Sequence, residues 1–154
     1  MTDITIAETT ADDIATIQKI VSDTGLFPPD LVPDLLDPAL KGETSEFWRS
    51  AYVGSEVAGF CYTVPEMLTE GAWNITAIAV DPARQGTGIG AALLSEVENW
   101  LTSKGQRLIL IDTSSGEDFT RTRAFYVKNG YEEEARIRDF WAEGDDKVVF
   151  RKAL

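Results

Sequence analysis

The chain has 154 residues, of which 44% are hydrophobic, and this size and composition predict a single domain over residues 1–154 with a sizeable core. Its 26 acidic and 14 basic side chains give a formal net charge of -12, which repels nucleic acid and anionic lipid surfaces and attracts amine-bearing ligands. The absence of histidine and the presence of one cysteine exclude disulfides within the chain, Cys-rich metal sites and His-activated nucleophiles. We therefore expect no bound metal, no nucleic acid and no membrane partner, although the same charge also serves solubility alone.

The cysteine and the N-terminal residues bear on the compartment. Cys61 lies in the apolar run 58–64, where we expect a small buried hydrophobic residue rather than a catalytic thiol. Met1, Thr2 and Asp3 do not form a basic segment followed by an apolar one, and no run approaches the ~20 apolar residues that cross a bilayer. These features predict a cytoplasmic protein.

The first third of the chain predicts a strand followed by two helices. Residues 4–7 alternate as in a strand, and Thr10 with Asp13 forms a capping pattern. Apolar side chains then recur at helical spacing, at Ile14, Ile17 and Ile20. Gly25 ends this first helix, and residues 28–40 predict a second, shorter helix opened by proline.

The middle of the chain predicts a hairpin and a crossover unit. Residues 46–53 and 57–64 are rich in β-branched and aromatic side chains, and the turn between them contains glycine, as in an antiparallel hairpin. A strand over 73–80, a helix over 89–101 and an apolar strand over 108–111 then form a βαβ unit with parallel strands. The remaining elements are a helix over 118–129 and strands over 131–140 and 147–152.

Three glycines mark the start of the helix that follows the third strand. Gly86, Gly88 and Gly90 permit close backbone approach where several N–H groups have no helical partner. Such a helix start binds phosphate groups, and the alternative is a flexible helix entry without a ligand.

Two other phosphate-binding motifs compete with this interpretation. Gly86, Gly88 and Ala91 fit the dinucleotide pattern G-x-G-x-x-A, and Asp112 ends the next strand. Against it, residues 81–85 separate the strand from the first glycine, and antiparallel strands precede the unit where βαβ repeats are needed. A Walker A loop is excluded because no Gly-Lys-Ser/Thr follows the glycines.

The sequence resembles the GNAT superfamily of acetyltransferases in two motifs. Gln85, Gly88 and Gly90 match the family pattern Arg/Gln-x-x-Gly-x-Gly/Ala, which lies between a strand and a long helix. Residues 124–131 match a helix that ends in Phe-Tyr-x-x-x-Gly-Phe/Tyr. The chain departs from many relatives at Phe119, where they carry Asn, and its tail resembles a subgroup for which no substrate is known to us.

The resemblance implies a fold, a cosubstrate and a reaction. The fold is α/β (α+β), with a mixed, mostly antiparallel central sheet, a central parallel βαβ unit and helices on both faces. The reaction is direct attack of an amine on the thioester of acetyl-CoA, with Tyr126 matching the tyrosine that protonates the leaving thiolate. The residues that would bind the cofactor, the first three through a bent or bulged backbone, are Ile78, Ala79, Val80, Gln85, Gly86, Thr87, Gly88, Ile89 and Gly90.

The acceptor site is less defined than the cofactor site. Without histidine, the base that deprotonates an ammonium acceptor must be a carboxylate, a water chain or bulk solvent, and the candidates are Glu66, Asp112, Glu70 and Glu117. Of these, Glu66 and Asp112 are the first to test. Candidate walls of the acceptor pocket are Phe27, Trp73, Phe140 and Trp141, which serve equally well in a core or a dimer interface.

Two alternative functions stay open at the level of the sequence. The first is a non-catalytic module that binds acyl-CoA, and the second is a nicotinamide-dependent oxidoreductase. The partner we expect is a small-molecule or peptide amine, and the oligomeric state is open, with a homodimer among the options.

Overall fold

The computed structural model describes residues 3–154, so Met1 and Thr2, part of the predicted domain and N-terminal segment, lie outside the described residues. The elements follow one another in the predicted order. The strands are β1 (Ile4–Glu8), β2 (Phe47–Val53), β3 (Glu56–Pro65), β4 (Ala72–Val80), β5 (Leu108–Ser114), β6 (Glu132–Ala142) and β7 (Asp145–Ala153). The α-helices are α1 (Ile14–Thr24), α2 (Val32–Leu40), α3 (Ile89–Ser103) and α4 (Thr120–Lys128).

Capping residues fix where the first helices begin and end. The N–H of Thr10 donates to Oδ2 of Asp13 at 2.9 Å, which forms the predicted capping box in front of α1. Gly25 ends α1 in the left-handed conformation, and Pro29 opens the turn before α2. Among residues 3–154, no helix is both long and apolar enough to cross a membrane.

The seven strands form one sheet in the order β1-β2-β3-β4-β5-β7-β6. Among the described strand pairs only β4 and β5 are parallel, because the crossover helix α3 connects them. Helices α1 and α2 pack on one face of the sheet, and α3 and α4 pack on the other. The predicted mixed sheet, with its parallel βαβ unit and helices on both faces, is confirmed.

The C-terminal hairpin enters the sheet through its second strand. β7 places Val148 and Phe150 in the core, whereas every residue of β6 is exposed. Because β7 carries the apolar alternation, it pairs with β5 and leaves the charged strand β6 at the edge of the sheet. Both strands were predicted, but their order in the sheet was not.

A β-bulge interrupts β4 near its middle. Tyr62 of β3 lies opposite Ala77 and Thr63 lies opposite Ile75, so Thr76 has no partner on β3 and its side chain is exposed. The extra residue inverts the alternation of β4, since Ile75 packs beneath α3 and α4 whereas Ala77 packs beneath α1 and α2. The bulge therefore changes which face each later side chain of β4 meets.

Pairing between β4 and β5 ends beside this bulge. The register runs from Ala72 opposite Leu108 to Ile75 opposite Ile111, and residues 76–80 have no partner on β5. Both strands continue, because β4 still pairs with β3 and β5 still pairs with β7. The two parallel strands thus diverge, and we call the opening the strand gap and the pair of Ile75 and Ile111 its apex.

Candidate functional site

The glycine loop, residues 85–90, connects β4 to α3 and is anchored on its N-terminal side. Arg84 forms an ion pair with Glu56 at the start of β3. The hydroxyl of Thr87 donates to the carbonyl of Arg84 at 2.5 Å. These contacts hold the loop at the C-terminal end of β4, where the strand gap begins.

The loop presents free N–H groups and open space. Gly86 and Gly88 have φ of 79° and 92°, and a Cβ at either position would meet no atom within 4 Å. The first hydrogen bond of α3 joins the N–H of Ala92 to the carbonyl of Gly88 at 3.0 Å, so the preceding N–H groups have no helical partner. This arrangement fits a phosphate group. The exposed residues are Gln85, Gly86, Thr87 and Gly88, whereas Ile89 is buried and offers only its backbone.

Gly90 allows α3 to pack against α4, which carries the second family motif. A Cβ at Gly90 would meet Cζ of Phe125 at 2.8 Å, so the ring of Phe125 on α4 fits against the first turn of α3 only because residue 90 has no side chain. Sequence analysis assigned Gly90 to phosphate approach alone. The contact with Phe125 was missed because a contact between two helices leaves no local signal in the sequence.

The unpaired edge of β4 lines one side of the strand gap. Ile78, Ala79 and Val80 pair with β3 on one edge and have no partner on β5 at the other. Ile78 and Val80 are half-buried and Ala79 is buried, so side-chain chemistry adds little here. The resemblance implied a bent or bulged backbone at these three residues, whereas the bulge lies before them, at Thr76.

Tyr126 lies beside the apex on the face that carries α3 and α4. Its ring centroid is 5.4 Å from that of Phe150, and Phe150 pairs across the sheet with Ile111. The side chain is 4% exposed, and its hydroxyl forms no hydrogen bond with another described residue. Burial raises the pKa of Tyr126 well above its ordinary value, so the phenol stays protonated.

The opposite face of the sheet carries a groove that no helix covers. It has a volume of about 440 Å³, within the usual range for ligand sites, and runs over β4, β5 and β7. We call it the open-face groove, and its lining residues are Glu66, Thr69, Ala72, Asn74, Arg107, Leu108, Leu110, Asp112, Lys147 and Val149.

Asp112 lies where the open-face groove meets the apex. It follows Ile111 on β5, and its Oδ2 accepts a hydrogen bond from Nδ2 of Asn74 at 3.2 Å. The same oxygen lies 3.4 Å from Nζ of Lys147. The carboxylate is therefore held in place by one amide and one cation, beside the last paired residues of β4 and β5.

Glu66 lies at the other end of the groove. Its N–H donates to the carbonyl of Ala72 at 2.9 Å, three residues before the apex and about 10 Å from it along the strand. The other candidate bases lie outside the groove lining: Glu70 and Glu117 are exposed in connections between elements. Of the four carboxylates, Asp112 is the one that the fold brings to the apex.

Two of the four aromatic candidates lie near the groove and two do not. Phe140 stacks on Lys147, with Nζ 4.5 Å from the ring centroid, and Trp141 donates from Nε1 to the carbonyl of Thr113 at 3.2 Å. Trp73 is a core residue on the opposite face of the sheet, where its Nε1 donates to Gln106, so it does not line the groove. Phe27 packs beneath α1 and α2 and is also absent from the groove lining.

Sequence analysis missed four polar residues of the groove, which are Thr69, Asn74, Arg107 and Lys147. Asn74 was the easiest of them to find from the sequence, because it is a polar side chain inside an apolar strand. Lys147 and Arg107 gave no signal, since exposed cations occur throughout any soluble domain. Their significance comes only from the topology, which brings β7 and the residue before β5 to the same face as Asn74.

A sequence model of the GNAT acetyltransferase domain matches residues 43–133, which include the glycine loop and Tyr126. The chain belongs to the GNAT family of acetyltransferases. An acetyltransferase assigned to the same family, from Desulfovibrio desulfuricans, is 30% identical, with a TM-score of 0.91 over 98% of this chain and 99% of that one. No curated protein sequence matches the chain.

More distant N-acetyltransferase structures share the fold. The ribosomal-protein-S18-alanine N-acetyltransferase of Escherichia coli is 19% identical, with a TM-score of 0.80 over 98% of this chain and 94% of that one. The PaiA N-acetyltransferase of Thermoplasma acidophilum, solved with coenzyme A, is 16% identical, with a TM-score of 0.76 over 99% of each chain. The dinucleotide-binding alternative does not fit, because that fold needs several parallel strands and the described sheet has one parallel pair.

Proposed function

We propose that this GNAT protein is an N-acetyltransferase that transfers an acetyl group from acetyl-CoA to an amine by direct attack. The observation that carries the proposal is the strand gap, whose apex has Tyr126 on one face and Asp112 on the other. A reaction at the apex would have a protonated phenol on one side and a carboxylate on the other, which are the two groups that acyl transfer to an amine uses.

The chain's own residues fit acetyl-CoA along a continuous path. The free N–H groups of the glycine loop would bind the pyrophosphate at the start of α3. The unpaired backbone of Ile78, Ala79 and Val80 would hydrogen-bond the pantetheine, as an added strand pairs with a free sheet edge. Acetyl-CoA supplies the activated acyl group and a thiol leaving group.

Tyr126 would act as the general acid. A thiol has a pKa near ~8.5 and a phenol one near ~10, so a phenol held nearby stabilises the departing thiolate by donating a hydrogen bond to it as its charge develops. The raised pKa of Tyr126 keeps this proton in place at neutral and mildly alkaline pH. Its hydroxyl has no hydrogen-bond partner among the described residues, which leaves it free for the leaving group.

Direct attack is supported by the state of the single cysteine. Cys61 is fully buried in the core, and burial raises the pKa of its thiol to about 12, so no thiolate forms near neutral pH. With no histidine in the chain, the described residues offer no activated nucleophile for a covalent acyl-enzyme. Asp112 would instead receive the proton of the incoming ammonium at the apex.

The first test is acetyl-CoA binding and turnover. We expect acetyl-CoA to raise the melting temperature by mass action and free CoA thiol to appear when an amine is added. Binding without thiol release across amine classes would favour the non-catalytic module. A folded sample that shows no shift at millimolar acetyl-CoA would contradict the cofactor assignment.

The second test separates Asp112 from Glu66 as the base. Asp112→Asn preserves the shape of the side chain and removes its proton acceptor, so we expect kcat/KM to fall about ten-fold or more at neutral pH. The deficit should shrink as the pH rises toward the pKa of the acceptor, because a neutral amine needs no base. A deficit that is equal at every pH would assign Asp112 to binding, and the same pH-dependent deficit in Glu66→Gln would transfer the role to Glu66.

A further inference from the structure

Each end of the open-face groove carries one carboxylate and one cation, which are paired at the apex and, among the described residues, unpaired at the far end. At the apex, the Asp112 carboxylate is paired with Lys147. At the far end, Glu66 and Arg107 flank the same short stretch of β4: the N–H of Glu66 donates to the carbonyl of Ala72, and the N–H of Arg107 donates to the carbonyl of Gly71. The Glu66 carboxylate and the Arg107 guanidinium therefore enter the groove from opposite sides of β4.

Glu66 and Arg107 have no ionic partner of their own. No oppositely charged group of residues 3–154 lies within 4.0 Å of either side chain. Nε of Arg107 donates to the carbonyl of Glu70 at 2.6 Å, which fixes the plane of the guanidinium. Its terminal nitrogens remain without a hydrogen-bond partner among the described residues. An oriented guanidinium with two free donors binds a carboxylate in a bidentate fashion.

From these charges we propose that the acceptor is an α-amino acid whose side chain ends in the amine that is acetylated, an inference that rests on the proposed function. The carboxylate of the α-amino acid would bind Arg107 and its α-ammonium would bind Glu66. These two ligand groups sit on one carbon, as the two side chains flank one point of the groove. The side-chain amine would reach Asp112 at the apex.

The middle of the groove matches an aliphatic spacer. Leu110 lies between the two charged ends, and Leu108, opposite Ala72, and Val149, opposite Asp112, extend the apolar lining to each end. The distance along β4 from Ala72 to the apex is about 10 Å. A spacer of three or four methylene groups places four or five bonds between the α-carbon and the amine, which span roughly 5–6 Å of this at ~1.25 Å per bond along an extended chain, and the reach of the Glu66 and Arg107 side chains covers the remainder. Lysine and ornithine therefore match the groove, whereas 2,3-diaminopropionate is too short.

Arg107 is the feature that separates this acceptor from other amines. The net charge of -12 favours any cation, so it does not discriminate among amines. A polyamine would leave the guanidinium without a partner and would bring another positive charge near it. A peptide acetylated on its N-terminal amine has no carboxylate at this distance unless an acidic side chain supplies one.

The test compares L-lysine with two analogues that each lack one group. Cadaverine lacks the carboxylate, and 6-aminohexanoate lacks the α-amine. With acetyl-CoA and release of CoA thiol as the readout, we expect kcat/KM for L-lysine to exceed that for each analogue about ten-fold or more, since each loses a charge-assisted contact. Mass spectrometry should find the acetyl group on the side-chain amine.

Two variants test whether Arg107 and Glu66 cause the preference for lysine. Arg107→Gln should reduce the ratio of kcat/KM for lysine to that for cadaverine toward one, chiefly through KM for lysine. Glu66→Gln should do the same for the ratio of lysine to 6-aminohexanoate. Arg138→Gln, at an exposed arginine of β6 outside the groove, is the matched control and should leave both ratios unchanged. A base at Glu66 would instead lower kcat for all three amines together.

The outcomes separate this inference from the function on which it rests. Equal or better turnover of cadaverine, acetylation of the α-amine, or unchanged ratios in both variants would overturn the acceptor class and leave the acetyltransferase intact. Acetyl-CoA binding without acetylation of any amine would overturn the proposed function, and the acceptor class with it.

Discussion

Among single residues, Tyr126 gives the sharpest test of the proposed chemistry, because one substitution removes only its hydroxyl. It lies among Phe125, Tyr131 and Phe150 with no hydrogen-bond partner among the described residues. Tyr126→Phe removes the hydroxyl and keeps the ring, so we expect unchanged stability and acetyl-CoA affinity and a fall in kcat of about ten-fold or more. Steady-state kinetics and thermal melting measure the two effects.

Tyr131→Phe is a matched control for this prediction. Tyr131 is also buried, but its hydroxyl donates to Oε2 of Glu98 at 2.9 Å, and Glu98 also accepts from Lys152. We expect this variant to lose about 1–3 kcal/mol of stability while kcat stays near the wild-type value. Full activity in Tyr126→Phe would mean that solvent protonates the thiolate and that both tyrosines are structural.

Contact between helices α3 and α4 joins the two family motifs. Because a Cβ at Gly90 would lie 2.8 Å from Cζ of Phe125, Gly90→Ala must displace the ring or shift the first turn of α3. We expect a loss of stability of about 1–3 kcal/mol and a higher KM for acetyl-CoA. Denaturant titration and kinetics measure the two effects.

A second substitution distinguishes packing from phosphate contact at Gly90. Phe125→Leu makes room for the added methyl group, so the double variant should recover most of the stability and acetyl-CoA affinity lost in Gly90→Ala. A double variant as impaired as Gly90→Ala alone would mean that the methyl group blocks the phosphate site itself.

Acids with raised pKa values limit the stability of the whole molecule at alkaline pH. Burial raises the pKa of Cys61 and of Tyr52 to about 12, with the hydrogen bond to Asp13 adding to the effect at Tyr52. In the unfolded chain these groups titrate near ~8.5 and ~10. Above those values only the unfolded chain loses protons from these groups, so the free energy of unfolding should fall as the pH rises from about 9 to 12.

Thiol labelling offers a direct readout of this alkaline transition. Because Cys61 is fully buried, a thiol reagent should react only with unfolded molecules, at a rate that follows the population unfolded at each pH. Chemical denaturation monitored by fluorescence gives the free energies for comparison. Rapid labelling of the folded protein at pH 8 would contradict the burial of the thiol.

The whole fold also shows which features a single sequence can predict. The strands and helices follow from local periodicity and from caps such as Thr10 and Gly25, so their bounds were close to those observed. The resemblance implied a bulge in β4 at residues 78–80, but its place at Thr76 was not predictable, because it depends on the register between β3 and β4. The open-face groove was not predictable either, since it arises where no helix covers the sheet, and Trp73, a candidate wall of the acceptor pocket, lies in the core on the other face.

The strand gap is open on both faces of the sheet, so both substrates can be bound at the same time. The glycine loop opens on the side of α3 and α4, and the groove opens on the opposite face, so the two substrates would reach the apex by separate routes. Neither has to leave before the other enters. Initial-rate plots at several acetyl-CoA concentrations should therefore intersect, as for a ternary complex, and coenzyme A should be able to dissociate while the next acceptor is already bound.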